Sequence, residues 1–345
     1  MQLPREVIVG NGVLNRVTEV IQRLNLTGDA LIISGTKSYA VAGKKVHDLL
    51  EQAGMNPHGF LVESTTIKDI ASIEEQLTNL KPQVLLGIGG GTIIDTTKVS
   101  SSRQNIPYIS IPTTVSHDGI ASPLASIKTA DRPHSLITQA PLAIIADIDI
   151  ISSAPWRSVI SGCGDILAKF TAVKDWELAH IDKKEYYGEY AASLALLSAK
   201  VITDNAALIQ PENVDGLHIL IEALISCGVA MSIAGSSRPC SGSEHLFSHA
   251  LDMIRSDHAM HGEQVGIGSI LTAFIHGANW QQIKNTLKQI GAPTTAKELG
   301  INDEDVIKAL ELAPTMRPER YTILHKQQLD YEKCQTIAKA TKVID

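Results

Sequence analysis

The sequence lacks any marked cluster of basic residues. Its 345 residues carry 30 Lys and Arg against 37 Asp and Glu, a formal net charge of −7, and its longest basic runs are two lysines, as at Lys44-Lys45. A protein that binds nucleic acid or another polyanion concentrates Lys and Arg on one face. We therefore expect no nucleic-acid partner.

Cysteine is also scarce. The four cysteines lie far apart and form no C-x-x-C pair: Cys163, Cys227, Cys240 and Cys334. Closely spaced cysteines mark zinc knuckles, and disulfide frameworks mark secreted domains. The spacing excludes a cysteine zinc knuckle and fits a reducing compartment.

Targeting and membrane signals are missing as well. The first residues, MQLPREVIVGNG, lack the basic, apolar and small-residue segments of a signal peptide. Leu217 to Gly235 has the length of a membrane helix but contains His218 and Glu222. A charge inside a lipid-spanning helix is costly, so we interpret this stretch as a buried core helix. We expect a cytoplasmic protein without membrane insertion.

The first half of the chain alternates strand-like and helix-like patterns. Helical periodicity at Val13–Leu24 and Ile70–Leu80 separates short apolar runs that we predict as strands: 30–34, 59–63, 84–88, 108–111 and 142–147. Such alternation is typical of βαβ units, and apolar runs without a polar face indicate strands covered on both sides. The sequence predicts an α/β N-terminal Rossmann-like domain with a parallel sheet, residues 1–153.

From about Ala154 onward only helical periodicity remains. The predicted helices are 165–179, 185–205, 216–235, 244–254, 265–276, 280–290 and 304–312. The sequence therefore predicts an all-α C-terminal domain, residues 154–345. In proteins of this type the active site is expected between the domains, outside the carboxyl ends of the strands.

Three consecutive glycines follow the predicted strand 84–88 and precede a predicted helix, Ile93–Gln104. Glycine lets backbone amides approach a ligand closely, and a helix N-terminus carries partial positive charge. The run GIGGGTIID thus suits a phosphate or pyrophosphate, although its spacing matches neither G-x-G-x-x-G nor Walker A. A tight turn without a ligand is the alternative.

The next predicted strand ends at Pro112, and a loop rich in small hydroxyl residues follows it: Thr113, Thr114, Ser116 and Ser122. These side chains suit hydrogen bonds to a ribose, a nicotinamide or a pyrophosphate. Loops at the carboxyl ends of strands commonly carry binding residues. A plain Ser/Thr-rich connection is the alternative.

Four of the twelve histidines fall within Ser241–Glu263: His245, His249, His258 and His261. His245 and His249 are four residues apart and share one helix face. Together with Asp165, expected at the start of helix 165–179, they match the carboxylate and imidazole set of a catalytic zinc site with one open position. Each histidine alone is equally compatible with a solvated or core position, and Asp165 with a helix N-cap, so spacing leaves the metal open.

Six ordered blocks resemble archaeal-type sn-glycerol-1-phosphate dehydrogenase, in the superfamily of glycerol dehydrogenase, dehydroquinate synthase and iron-type alcohol dehydrogenases. The blocks are GIGGGTIID, PTTVSHDGIASP, SGCGDILAK, SGSEHLFSHAL, HGEQVGIG and RPERYTIL, and the resemblance spans about residues 5–325. It implies the dehydroquinate synthase-like fold, one Zn²⁺ per subunit, and NAD(H) or NADP(H). The implied reaction is reduction of dihydroxyacetone phosphate to sn-glycerol 1-phosphate, the backbone of archaeal ether lipids. We also expect a homo-oligomer.

The resemblance also implies roles for individual residues. The zinc ligands are Asp165, His245 and His261, which with His249 form the catalytic set. The implied substrate contacts are Asp118, Asp165 and His249. The implied cofactor positions are Gly89, Gly90, Gly91, Thr92, Ile93, Ile94, Asp95, Thr113, Thr114, Val115, Ser116 and Ser122.

The sequence leaves three points about the reaction open. Lys169 lies one helical turn after Asp165 and is our candidate for the substrate phosphate, a solvated helix lysine being the alternative. The proton for the product oxygen comes from water at the metal or through His249. The choice between NADH and NADPH is also open, since Lys37 after the second predicted strand is only a weak indication of a 2′-phosphate site.

Departures from related families narrow the function. Lys169 stands where iron-type alcohol dehydrogenases commonly carry a histidine ligand, and dehydroquinate synthases use glutamate where this chain has Asp165. Glycerol dehydrogenase acting on non-phosphorylated glycerol or dihydroxyacetone is the alternative function, but it lacks the combination of HDGIASP and RPERYTIL. A non-catalytic nucleotide or phosphosugar sensor is disfavoured because the whole metal set is present.

Overall fold

The computed structural model describes residues 1–62, 67–128, 133–255 and 259–345. They form two compact units, Met1–Trp156 and Arg157–Asp345. The strands of the first unit are β1 Glu6–Gly10, β2 Asp29–Ser34, β3 Asn56–Leu61, β4 Val84–Gly89, β5 Tyr108–Pro112, β6 Leu124–Lys128, β7 Pro133–Ile137 and β8 Ala143–Asp147.

Six of these strands build one parallel sheet in the order β1-β8-β5-β4-β2-β3. Every residue of β4, β5 and β8 is buried, because helices cover both faces of the sheet. β6 and β7 form a separate antiparallel pair. The predicted α/β class with a parallel sheet is confirmed.

The helices of the first unit connect the strands. They are α1 Val17–Arg23, α2 Thr36–Ser38, α3 Lys44–Gln52, α4 Ile67–Leu80, α5 Gly91–Gln104 and α6 Ile148–Ser152. Short 3-10 helices occupy Val13–Arg16 and Asp118–Ile120, and a π-helical turn, Tyr39–Gly43, joins α2 to α3.

The strand order reverses direction between β2 and β4. After β2 the chain continues to its outer neighbour β3, whereas after β4 it continues to β5 on the opposite side. Loops that leave two adjacent parallel strands in opposite directions open a crevice at their carboxyl ends, the usual ligand position in doubly wound sheets. The glycine loop after β4 and the segment after β2 that begins at Gly35 meet at this crevice.

In its described part, the second unit is helical. Its helices are α7 Trp156–Leu167, α8 Lys169–Lys183, α9 Glu189–Asp204, α10 Val214–Ala234, α11 Ser243–Ile254, α12 His261–Ile275, α13 Trp280–Ile290, α14 Ala296–Leu299, α15 Asp303–Leu312, α16 Ile323–Gln327 and α17 Tyr331–Ala340. The predicted all-α C-terminal part is confirmed.

Helix α10 is long and apolar enough to cross a membrane by length and composition, the single such helix in the described ranges. Most of its apolar stretch is buried, and it packs along α9.

Some predicted boundaries were wrong. The helix that carries Asp165 begins at Trp156, so Asp165 lies in its last turn and is not a helix N-cap. The strand predicted at 59–63 begins at Asn56 and ends at Leu61, and residue 63 lies outside the described residues. β1 and the β6–β7 pair were not predicted.

Candidate metal and cofactor sites

Asp165, His245 and His261 meet in the second unit. One ligand atom from each lies within 4.8 Å of the others, and His245 Nε2 is 3.4 Å from Asp165 Oδ1. Zinc bonds of about 2.0–2.1 Å at tetrahedral angles put two ligand atoms roughly 3.3–3.4 Å apart. The three side chains thus fit a zinc ion.

His245 is oriented by its neighbour in sequence. Glu244 Oε1 lies 2.8 Å from His245 Nδ1, which directs Nε2 toward Asp165. Glu244 is completely buried and is itself fixed by Thr171 Oγ1 at 2.7 Å and by the amide of Gly242 at 2.6 Å. A carboxylate that binds the second nitrogen of a ligating histidine fixes its tautomer and raises its basicity.

Asp165 is ionised in this environment. Burial alone would raise the pKa of this carboxyl, which is 1% exposed. Lys169, His245 and His261 outweigh burial and hold its pKa well below the usual range. Burial would likewise lower the pKa of His245, but its bonds to Asp165 and Glu244 raise it instead. An anionic carboxylate between two imidazoles is the charge pattern that binds a divalent cation.

Lys169 serves as a counter-charge to Asp165. Its side chain is fully buried, and Nζ donates to Asp165 Oδ1 at 3.1 Å and to the Cys240 carbonyl at 3.3 Å. The solvated-lysine alternative is therefore wrong. A group so enclosed suits balancing the metal-binding carboxylate better than contacting a substrate that arrives from solvent.

Paired glycines bring α7 and α12 into backbone contact at the metal ligands. A Cβ on Gly164 would lie 2.1 Å from the Gly262 carbonyl oxygen, and one on Gly262 would lie 1.7 Å from the Ser161 carbonyl oxygen. Gly164 precedes Asp165 and Gly262 follows His261. Since neither position tolerates a side chain, this close approach is what places the two ligands together.

His261 begins α12 and is partly buried. Its Nδ1 lies 3.4 Å from Ser248 Oγ, which donates to Gln264 Oε1 at 2.6 Å. Gln264 in turn donates to Asp252 Oδ1 at 3.0 Å. This chain of polar contacts restricts the orientation of the imidazole.

His249 lies one turn after His245 on α11 and is not part of the three-residue group. Burial, followed by His245, Arg317 and Arg320, lowers its pKa to about 3. Its Nδ1 is buried and has no hydrogen-bond partner within the described ranges. His249 is thus a neutral imidazole beside the site. His258 lies outside the described residues.

In the first unit the glycine loop is packed against the loop that follows β5. A Cβ on Gly90 would lie 2.8 Å from Thr114 Oγ1, and one on Gly91 would lie 2.1 Å from His117 Nε2. Neither glycine has positive φ, so glycine is needed here for space. α5 begins at Gly91, and its first amides point toward this crowded edge of the sheet.

Some cofactor positions implied by the resemblance lie along the edge formed by the two loops, and others have side chains buried in the core. Gly89 and Thr113 are joined by a backbone hydrogen bond of 3.0 Å, so the two loops form one continuous edge. The side chains of Ile94 and Val115 are completely buried, and Ile93 also packs in the core. Any contact of these three residues with a ligand must come from their backbone.

Asp95 and Ser122 share a buried lysine that sequence reasoning did not identify. Lys98 Nζ donates to Asp95 Oδ1 at 3.0 Å and to Ser122 Oγ at 3.3 Å. Asp95 Oδ2 also accepts from the Ser126 amide at 2.9 Å. The network fixes α5 to the loop before β6. Asp118, the remaining implied substrate contact, begins the 3-10 helix after β5 in this same unit.

Comparison with known proteins decides the family. The chain is 50% identical over 345 residues to glycerol-1-phosphate dehydrogenase (NAD(P)+) of Methanosarcina mazei, covering 100% of this chain and 97% of that relative. It is 48% identical over 344 residues to the Pyrococcus furiosus protein of the same name, covering 100% and 99%. The chain belongs to the glycerol-1-phosphate dehydrogenase family. The resemblance expected from the six sequence blocks is thereby confirmed.

The wider superfamily agrees with this membership. The model of the iron-containing alcohol dehydrogenase family matches residues 8–155. Glycerol dehydrogenase from Schizosaccharomyces pombe has a similar structure, with a TM-score of 0.84 at 20% identity over 99% of this chain and 89% of that one. Butanol dehydrogenase A from Thermotoga maritima gives a TM-score of 0.74 at 17% identity, over 99% and 98%. Both support the fold of this glycerol-1-phosphate dehydrogenase family member.

Proposed function

We propose that this oxidoreductase reduces dihydroxyacetone phosphate to sn-glycerol 1-phosphate with a hydride from NADH or NADPH. The observation that carries the proposal is the convergence of Asp165, His245 and His261, with ligand atoms within 4.8 Å, in a chain about half identical to named glycerol-1-phosphate dehydrogenases. We propose these three residues as the ligands of one zinc ion per subunit.

Two of the three proposed ligands are held in a metal-binding state by a neighbouring side chain. Asp165 is kept ionised by Lys169, and Glu244 turns His245 so that Nε2 is available. Bound zinc would polarise the ketone oxygen of the substrate and stabilise the negative charge that develops on it. Three protein ligands would leave one coordination position open for a substrate or water.

The first unit is the proposed dinucleotide-binding domain. The glycine loop and Thr113–Ser116 meet at the carboxyl ends of β4 and β5, beside the point where the strand order reverses. The amides at the start of α5 would hold the pyrophosphate, and Thr114 and Ser116 would bond the neighbouring ribose or nicotinamide. Asp95 and Ser122 would contribute indirectly, because their hydrogen bonds to Lys98 hold α5 and the loop before β6 in place.

His249 is the proposed substrate contact on α11. Because its pKa is lowered to about 3, it is neutral at neutral pH and is not the net source of a proton. A neutral imidazole can accept a proton at one nitrogen while it donates from the other. We therefore propose that His249 relays a proton from solvent to the product oxygen. Asp118 is proposed to orient a substrate hydroxyl.

The proposed setting follows from the family. We propose a cytoplasmic enzyme that supplies the glycerol phosphate backbone of ether lipids and works as a homo-oligomer. Residues 1–153 would carry the cofactor and residues 154–345 the metal and the substrate.

A steady-state assay separates this function from that of a glycerol dehydrogenase. Oxidation of NADH and NADPH is followed by nicotinamide absorbance with dihydroxyacetone phosphate and, separately, with dihydroxyacetone. We expect kcat/KM to be much higher for the phosphate ester. A preference for dihydroxyacetone and glycerol would instead support the alternative function.

A further inference from the structure

Three arginines of the second unit lie near the start of α11. They differ in whether a carboxylate neutralises their charge. Arg238 is 4% exposed and pairs with Glu185 through Nε at 2.6 Å and through Nη2. Arg320 is partly buried, and no carboxylate of the described residues lies within ion-pair distance of it. We call Arg238, Arg317 and Arg320 the arginine cluster.

Arg320 is held in place by neutral groups. Its Nη1 donates to the Ser241 carbonyl and its Nη2 to Ser237 Oγ, both at 2.6 Å. A guanidinium has five N–H groups in a fixed fork, so these two bonds orient Arg320 without using up its donors. Burial is the main cause that lowers the pKa of Arg320 to about 10; the neighbouring charges of Arg317 and Arg238 lower it further, against the opposite effect of Glu185 and Glu244.

The same cluster lies beside the residues of the reaction site. Ser241, which fixes Arg320, immediately precedes Gly242, the residue that caps α11. Arg317 and Arg320 both lower the pKa of His249, and Glu244 acts on Arg320. The 3-10 helix Ala313–Met316, which leads into Arg317, packs on α11. Both arginines are therefore close enough to His249 to act on it electrostatically.

We propose that Arg317 and Arg320 form the subsite that binds the phosphate dianion of the substrate. This inference rests on the function proposed above. In dihydroxyacetone phosphate only a methylene and an ester oxygen separate the carbonyl carbon from phosphorus, so the phosphate must bind close to the metal and His249. A buried dianion needs charge-assisted partners, and arginine forks match phosphate oxygens in pairs.

This assignment replaces Lys169 as the phosphate contact. The Lys169 ammonium is fully enclosed and bonded to Asp165 and Cys240, whereas Arg320 is partly exposed and pairs with neutral oxygens. It also gives a role to two residues of the block RPERYTIL, which begins at Arg317 and contains Arg320.

The test compares two substrates in Arg317→Ala, Arg320→Ala and Arg320→Lys. Loss of a charge-assisted phosphate contact is expected to raise KM for dihydroxyacetone phosphate roughly ten- to a hundred-fold. KM for dihydroxyacetone should change far less, because that substrate has no phosphate. Inhibition of dihydroxyacetone reduction by inorganic phosphate should weaken with the alanine variants, and Arg320→Lys should fall between Arg320→Ala and the parent.

Arg255→Ala is the matched control, since Arg255 pairs with Asp305 at 2.9 Å, and it should keep the parent's ratio of the two KM values. The inference is overturned if Arg317→Ala and Arg320→Lys both keep that ratio and the parent's inhibition by inorganic phosphate. Arg320 also fixes Ser237 and Ser241, so Arg320→Ala could fail to fold. In that case Arg317→Ala and Arg320→Lys test the proposed subsite.

Failure of the proposed function gives a different result. A parent enzyme that does not prefer the phosphate ester contradicts the function itself. Calorimetry with inorganic phosphate on the zinc-loaded parent and on Arg317→Ala then decides the subsite: weaker binding to the variant supports it, and equal binding overturns it.

Discussion

The charge on Asp165 depends on Lys169, and the direction of His245 depends on Glu244. Both supporting residues are fully buried, and each contacts its partner directly, at 3.1 Å and 2.8 Å. Sequence spacing placed Lys169 on the same helix face as Asp165 but gave no sign of its burial, because burial depends on α11 and the Cys240 carbonyl. Glu244 was not identified, since a glutamate beside a histidine is common on helix surfaces.

Removal of the imidazole at His261 and at His249 should have different effects on zinc content and turnover. His261→Ala should lose most bound zinc, because the substitution removes one of three ligands. His249→Ala should keep the zinc while turnover falls by about 10²-fold or more, the size expected for loss of a proton-transfer group. Zinc is measured by elemental analysis of the purified variants.

His218→Ala provides the control for these variants. His218 is partly exposed and pairs with Glu222 at 3.1 Å, so both zinc content and turnover should match the parent. Loss of zinc from His249→Ala would show that His249 is a ligand and would contradict the assignment of roles on α11.

At the scale of helices, the metal site depends on the contact between α7 and α12. Gly262→Ala would put a Cβ 1.7 Å from the Ser161 carbonyl oxygen, so the helices must separate. We expect zinc content to fall sharply and stability to drop by about 1–3 kcal/mol, as for other overpacked contacts. Zinc analysis and urea unfolding measure the two effects.

Gly266→Ala on the same helix is the matched control. Its Cβ would lie 3.3 Å from a terminal methyl of Leu287, which can move, and 3.9 Å from the Gly164 Cα, which is an ordinary contact distance. The two variants share helix and chemistry, so equal zinc loss in both would mean that the α7–α12 contact does not position the ligands.

The glycine loop gives a second prediction at this scale. Gly90→Val would crowd Thr114 and block the approach of a pyrophosphate to the start of α5, so KM for NADH and NADPH should rise at least about tenfold while zinc content is kept. Gly59→Val in the edge strand β3 is the control, because a Cβ at Gly59 meets nothing within 4 Å. Unchanged cofactor KM in a folded Gly90→Val protein would assign the glycine to packing alone.

The elements that sequence predicted well are those with long periodicity. Helix 280–290 matches α13 at both ends, and the strand core 84–88 lies within β4. The start of α7 was missed because Trp156–Gly164 is rich in small and hydroxyl residues, which have weak helical preference. Its two glycines are explained only by the packing partner α12, which no local pattern reveals.

At the scale of the whole molecule, strand alternation and the later helical pattern were sufficient to predict a parallel sheet followed by helices. The strand order was not predictable, because pairing between β1 and β8 joins segments more than 130 residues apart. The meeting of Asp165 with His245 and His261 is likewise a tertiary event. The resemblance of six blocks implied this set, whereas spacing along the chain left it open.

The most direct test of the zinc-dependent reduction is a titration of metal-free enzyme with zinc. The protein is stripped with a chelator, and NADH or NADPH oxidation with dihydroxyacetone phosphate is measured as zinc is returned, together with bound zinc. We predict negligible turnover without metal, a rise in proportion to bound zinc, and saturation at one zinc ion per chain. Full turnover in a verified metal-free preparation would contradict the account.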